Sequence, residues 1–168
     1  MENDLHEPER FKSPEYLAVL DTQTSDQQCR FSPASIQSMQ QAAEKGYPLE
    51  VCGLLIGHAT ATDWHVDEAK LVQNLNTDRA ADRFQLDPVA YQAIDRELRG
   101  TSRDIIGVFH SHPDCPAKPS PTDLNNAWEG FAYPIISVYK GKLAEIRCWA
   151  VNAGGDKFQS VAMQESAS

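Results

Sequence analysis

At 168 residues the chain has room for one well-filled core and is too short for two ordinary domains. Its 41% hydrophobic and 23% charged residues are those of a soluble globular protein, and no apolar run approaches the ~20 residues that span a bilayer. A formal net charge of −9 argues against a nucleic-acid partner, which would want a basic face.

Residues 1–14 are polar and charged, contain two prolines, and are expected to be loosely ordered. They hold no apolar h-region, so the start does not read as a signal peptide and the cytoplasm is the default location. Glu15–Leu20 and Gln28–Phe31 are expected to form a hairpin. Its ordinary role would be edge cover for a sheet, and its sharper one a homodimer or partner contact. Ser32–Pro33 opens a helix that carries Ile36, Met39 and Ala43 at helical spacing and stops at Gly46. Gly53–Gly57 reads as a buried strand, Trp64–Asn74 as a longer one, 74–82 as a polar loop and Arg83–Leu86 as a short strand. Asp87–Pro88 caps a helix through Tyr91, Ile94 and Leu98. Ile105–His112 is a strand, and Ser120 begins a helix running to about Trp128. Tyr133–Tyr139, Leu143–Val151 and Phe158–Met163 complete a set of strands joined by Gly-containing turns. Strands predominate, helices punctuate them and no repeat is visible, which gives a mixed α/β (α+β) single domain.

The chemistry gathers around His110-Ser111-His112-Pro113 and Ser120-Pro121-Thr122-Asp123. Side chains at i and i+2 of a strand share a face, so His110 and His112 point at one spot. Pro113 stops the strand, and Ser120 and Pro121 restart the chain as a helix with Asp123 in its first turn. Two imidazoles and one carboxylate suit a catalytic zinc that keeps its fourth position open. The four cysteines (Cys29, Cys52, Cys115, Cys148) form no C-x2-C pair, so a structural zinc is not expected and they read as free thiols. Cys52 and Cys115 lie near the motif, but an inert buried thiol is their expected role. Ser111 is expected to pack on the opposite face, and Lys118 to be solvated.

These strings resemble the JAMM (MPN-plus, JAB-domain) zinc metalloproteases, whose pattern is an upstream glutamate followed by H-[ST]-H-x7-S-x2-D. The glutamate matches Glu50 in Leu49-Glu50-Val51-Cys52-Gly53-Leu54-Leu55. The resemblance runs from about Phe31 to Val151 and is to the compact prokaryotic members. It implies one MPN/JAB domain over 31–163, after an N-terminal extension (1–30) and before a polar tail (164–168). The implied fold is a curved mixed sheet flanked by helices, related to cytidine deaminases. It implies zinc on His110, His112 and Asp123, Glu50 as general base and Ser120 as stabiliser of the oxyanion. The implied activity is a peptidase or isopeptidase acting after the C-terminal Gly-Gly of a ubiquitin-like or sulfur-carrier protein. Both removal of a modifier from lysine and release of a carried amino acid such as cysteine remain open. Only about ten residues separate Asp123 from Pro134, too few for the insertions that grip ubiquitin chains. A non-catalytic MPN scaffold is the alternative, weakened because every motif residue is present. A deaminase is excluded, because Pro113-Asp114-Cys115-Pro116 supplies no P-C-x2-C.

Overall fold

The computed structural model describes residues 7–166. Its strands are β1 (Gln28–Phe31), β2 (Cys52–Ala59), β3 (Asp63–Val72), β4 (Asp104–Pro113), β5 (Tyr133–Tyr139), β6 (Lys142–Val151) and β7 (Phe158–Glu165). The order β1-β3-β2-β4-β5-β6-β7 closes on itself, because β1 pairs in parallel with both β3 and β7. β2 runs antiparallel to β3 and β4, β4 runs parallel to β5, and β5, β6 and β7 follow as an antiparallel meander. The mixed α+β fold read from the sequence is therefore present, with its sheet curved to closure.

Each α-helix opens with the same local chemistry. α1 (Pro14–Ala18), α2 (Pro33–Gly46), α3 (Pro88–Leu98) and α4 (Pro121–Asn125) follow Ser13, Ser32, Asp87 and Ser120, whose side chains each accept a backbone N–H of the first turn. Proline then occupies a first-turn position, where no helical N–H is lost.

Two layers of core follow from strand alternation. α2 packs Met39 and Ala43 against Leu55, Trp64, Phe109 and Ile136 on one face. α3 packs Ile94 against Leu54, Ile56, Val72, Ile105 and Val108 on the other. On β4, Phe109 thus faces α2 and Val108 faces α3. The same alternation sends His110 and His112 to the α3 side and Ser111 to the α2 side.

The register of β2 against β3 shifts between Ile56 and Gly57. A Cβ at Gly57 would run into the His65 carbonyl oxygen, which is backbone and has little room to move. Gly57→Ala should therefore destabilise by about 2–3 kcal/mol, read as a lowered urea midpoint with unchanged slope. An unchanged midpoint would show that the β3 backbone yields at this point.

The N-terminal region differs from its expectation in three ways. Glu15–Leu20 is not a strand: Ser13–Pro14 starts α1, and of this stretch Leu20 alone bridges, to Phe158. There is no hairpin, because β1 lies inside the closed sheet with neighbours on both edges, so it offers no free edge for a dimer contact. Residues 7–14 are ordered rather than loose. A 3-10 turn over Glu9–Lys12 buries Phe11, and Glu7 pairs with Lys118 at 2.8 Å, so that lysine is not simply solvated. Residues 1–6 lie outside the described residues. Elsewhere Arg83–Leu86 forms no strand, and its bridge is between Leu86 and Asn74. α4 stops at Asn125, well short of Trp128, whose N–H bonds the Tyr133 hydroxyl instead.

Candidate metal centre

Five residues expected from the sequence meet at the end of β4. His110 is 2% and His112 6% exposed, and their Nε2 atoms face each other at 3.0 Å. Asp123 Oδ2 lies 3.4 Å from His110 Nε2 and 3.8 Å from His112 Nε2. Glu50, 5% exposed, places Oε1 3.9 Å from His112 Nε2. Ser120 stands at the head of α4, beside Asp123. Among the described residues, ligand atoms of Glu50, His110 and His112 all fall within 4.8 Å of one another.

Each side chain is held by its local backbone. His112 Nδ1 lies 2.8 Å from the Pro116 carbonyl, which can only accept, so Nδ1 carries the proton and Nε2 presents a lone pair. His110 is stacked on Phe84 at 4.5 Å. Asp123 and Ser120 form a capping box: Ser120 Oγ accepts the Asp123 N–H at 3.0 Å, and Asp123 Oδ2 accepts the Ser120 N–H at 2.8 Å. The serine oxygen is thereby occupied as an acceptor while its O–H is left to donate. Glu50 sits on the last turn before β2, its N–H bonded to the Ala80 carbonyl and its own carbonyl to Asn74 Nδ2.

The electrostatics set the two carboxylates apart. Burial pushes the Glu50 carboxyl up to about 8. Burial acts the same way on Asp123, but the adjacent His110 outweighs it and holds this carboxyl well below the usual range. Burial draws His112 down to about 4. For His110, burial lowers the pKa but the adjacent Asp123 outweighs it and raises it. Glu50 Oε2 and His110 Nδ1 are buried without a hydrogen-bond partner among the described residues. Two Nε2 atoms facing one spot, which offer a lone pair each once His110 gives up its proton, an ionised carboxylate and an unsatisfied carboxylate oxygen are a donor set that fits a divalent cation.

Two positioning residues carried little or no signal in the sequence. Ser111, expected only to pack, accepts the Val51 N–H on its Oγ at 2.8 Å and gives its own N–H to the Val51 carbonyl at 2.9 Å. It therefore ties β4 to the residue after Glu50; the hydroxyl preserved in H-[ST]-H was the available clue. Asn74 bonds the Glu50 and Arg83 carbonyls through Nδ2 and accepts the Asn76 and Gln85 N–H groups on Oδ1, and nothing in the sequence marked it. Ser111→Ala should orphan the Val51 N–H, cost about 1–3 kcal/mol in urea unfolding and lower kcat while the metal stays bound. Ser111→Thr should retain most of both, and equal losses in Ala and Thr would deny the hydroxyl this role. Cys52 and Cys115 are buried thiols pushed up to about 12 by burial, in keeping with inert packing.

The site opens into a cavity of about 720 Å³, bordered by residues 79–86, α3, α4 and the N-terminal segment. No helix among the described residues is long and apolar enough to cross a membrane.

Residues 32–152 match a family model described as prokaryotic homologs of the JAB domain. A desampylase from Haloferax volcanii is 37% identical over 92 residues, which are 54% of this chain and 63% of that protein. The match thus spans less than two thirds of that relative. A desampylase from Pyrococcus furiosus is 29% identical over 106 residues, 62% of this chain and 68% of that protein. Among solved structures, a protein from Desulfitobacterium hafniense superposes with a TM-score of 0.71 at 25% identity, over 83% of this chain and 94% of the other. One from Salinibacter ruber gives 0.63 at 30%, over 82% and 91%. A JAB1/MPN domain protein from Archaeoglobus fulgidus gives 0.54 at 19%, over 83% and 98%, and speaks for the fold alone.

Proposed function

From a chain that belongs to the family of prokaryotic JAB-domain homologs, we propose a zinc-dependent isopeptidase or peptidase. It hydrolyses the bond after the C-terminal Gly-Gly of a ubiquitin-like or sulfur-carrier protein. The observation that carries this reading is the convergence of both His Nε2 atoms and Asp123 Oδ2 on one spot, with an unpaired Glu50 oxygen beside it. Two relatives carry the name desampylase, a name for a deconjugating enzyme, which supports the substrate class.

His110, His112 and Asp123 would hold the zinc, which when bound would supply Lewis acidity and lower the pKa of water enough for it to lose a proton and attack an amide near neutral pH. Glu50, whose carboxyl burial pushes up to about 8 and so makes a stronger base than an ordinary carboxylate, takes the attacking water's proton when ionised and passes it to the leaving amine. Asp123 is the better ligand of the two carboxylates because it is the one held ionised and the one near both rings. Ser120 donates its O–H toward the developing oxyanion. Hydrolysis leaves a Gly-Gly carboxylate on the carrier and a free amine on the released group. Arg83–Leu86 borders the cavity beside the His pair, and the tail would enter along it. Asn74 and Leu75 hold one main-chain edge of that segment, and an extended tail would add to the other. Glycine at the tail's end lets the scissile carbonyl approach without a Cβ in the way.

The alternative of a non-catalytic MPN scaffold explains none of this geometry, because a scaffold has no need of a buried unpaired carboxylate beside two imidazoles. Four free buried cysteines suit a reducing cytoplasm. The test offers a β-grasp carrier fused through its tail to a reporter, beside a Gly-Gly→Ala-Ala version. Cleavage of the first and not the second is expected; equal cleavage of both would make this a general protease.

A further inference from the structure

The cavity beside the His pair is lined by three arginines, Arg10, Arg79 and Arg83, and by three carboxylates, Glu50, Asp82 and Asp123. Glu50 and Asp123 belong to the metal centre, where a divalent cation balances them. Asp82 is held by Arg79 through two contacts, Nη2 to Oδ2 at 2.5 Å and Nε to Oδ1 at 3.2 Å. Two guanidinium charges are left. Arg83 bonds the Thr122 hydroxyl, a neutral partner one residue before Asp123. Arg10 lies over the Phe11 ring at 5.0 Å and forms no ion pair among the described residues. On a chain of net charge −9, half-buried Arg83 and exposed Arg10 bordering this cavity are a local excess of positive charge that suits an anion.

We propose that Arg83 and Arg10 form a carboxylate-binding subsite that takes the α-carboxylate of the residue released when the bond after Gly-Gly is cut. The inference rests on the reading above and narrows it. An extended Gly-Gly tail has no charge near the bond, so the obligate anion must lie on the leaving side. In a single-residue leaving group the α-carboxylate is one residue length, about 3.5 Å of extended chain, beyond the scissile amide. Arg83 bonds the hydroxyl of Thr122, the residue before Asp123, and lines the same cavity as His110 and His112, so its guanidinium is on the side of the metal centre. A guanidinium has five donors in a planar fork suited to a carboxylate, and the Thr122 bond uses one. A lysine inside a conjugated protein offers no such group at its ε-amine. The subsite therefore selects amino-acid release from a carrier over removal of a modifier from lysine. It is also built partly from residues outside the family-matched region, since Arg10 precedes residue 32.

The test measures binding, apart from turnover. Trp128 and Trp149 line the same cavity, so their fluorescence reports occupancy. The zinc-loaded protein is titrated with Gly-Gly-Ala bearing a free carboxylate, with its C-terminal amide, and with Gly-Gly-Asp as the C-terminal amide. At least tenfold tighter binding of the free acid than of either amide is expected, shrinking to within twofold in Arg83→Gln and narrowing in Arg10→Gln. Equal binding of acid and amide, or no binding of either, overturns the subsite. A preference that survives in both variants overturns it too, because the zinc itself would then be holding the carboxylate. Tight binding of the Asp amide overturns the assignment to the α-carboxylate in favour of a side-chain one. Selective binding without cleavage of the carrier fusion would remove the proposed activity and leave the subsite standing; cleavage without selective binding would do the reverse.

Discussion

Glu50→Gln should lower kcat by about 10²–10⁴-fold while zinc content stays at the wild-type level, because it removes proton transfer and leaves the imidazoles and Asp123 in place. The same change should stabilise the metal-free protein. The Glu50 carboxyl is raised from 4.5 to about 8, chiefly by burial. Its folded-state pKa thus lies above its unfolded one, so the folded state holds the proton more tightly. The stability this contributes is fully present below pH 4.5 and is lost as pH rises through about 8. Above that, an ionised carboxylate is buried at a cost on the order of a few kcal/mol. Gln is neutral and nearly isosteric, so metal-free Glu50→Gln should melt above wild type at pH 9 and close to it at pH 4. The experiment also separates the two carboxylates, since Glu50 stands as close a neighbour of the histidine pair as a ligand would. Loss of zinc from Glu50→Gln would make Glu50 a ligand, and a wild-type rate would place the base elsewhere.

What the sequence disclosed depended on whether a residue's role was local. The capping signals at Ser32–Pro33, Asp87–Pro88 and Ser120–Pro121 announced their helices because cap, proline and first turn lie within four residues. Ser13–Pro14 carries the same signal, but the apolar Tyr16-Leu17-Ala18-Val19-Leu20 behind it imitates a strand over so short a window. The His110–His112 pair was legible because a strand's period of two fixes its face. The closure of the sheet was not, since it depends on β1 pairing with β3 and β7 across more than thirty and more than one hundred residues. Phe11 reads as one apolar residue in a charged tail. Its meaning comes only from the fold, which sets its ring 6.3 Å from that of His112. Asn74 is invisible for the same reason: its partners Glu50 and Arg83 lie 24 residues before it and 9 after it, and only the fold brings them together.

His112→Ala and Asp123→Ala should each reduce bound zinc from about one per chain to near zero and abolish peptidase activity, since a site of three protein ligands cannot spare one. Elemental analysis finding full zinc in His112→Ala would overturn the ligand set. The pH dependence of zinc affinity should come from His110 rather than His112. Burial has already brought His112 down to about 4, so it presents a free Nε2 throughout the neutral range. His110 is raised by the charge of Asp123 against its burial, and its proton must leave before the nitrogen can bind. Affinity should therefore fall about tenfold for each pH unit below the pKa of His110, the slope of a single competing proton. Asp123→Asn separates this effect from ligand loss. Without the aspartate charge the His110 pKa drops, so residual zinc binding in the variant should be weak but nearly independent of pH from 6 to 8. A variant that kept the wild-type slope would place the competing proton on another group, with Glu50 the first to examine.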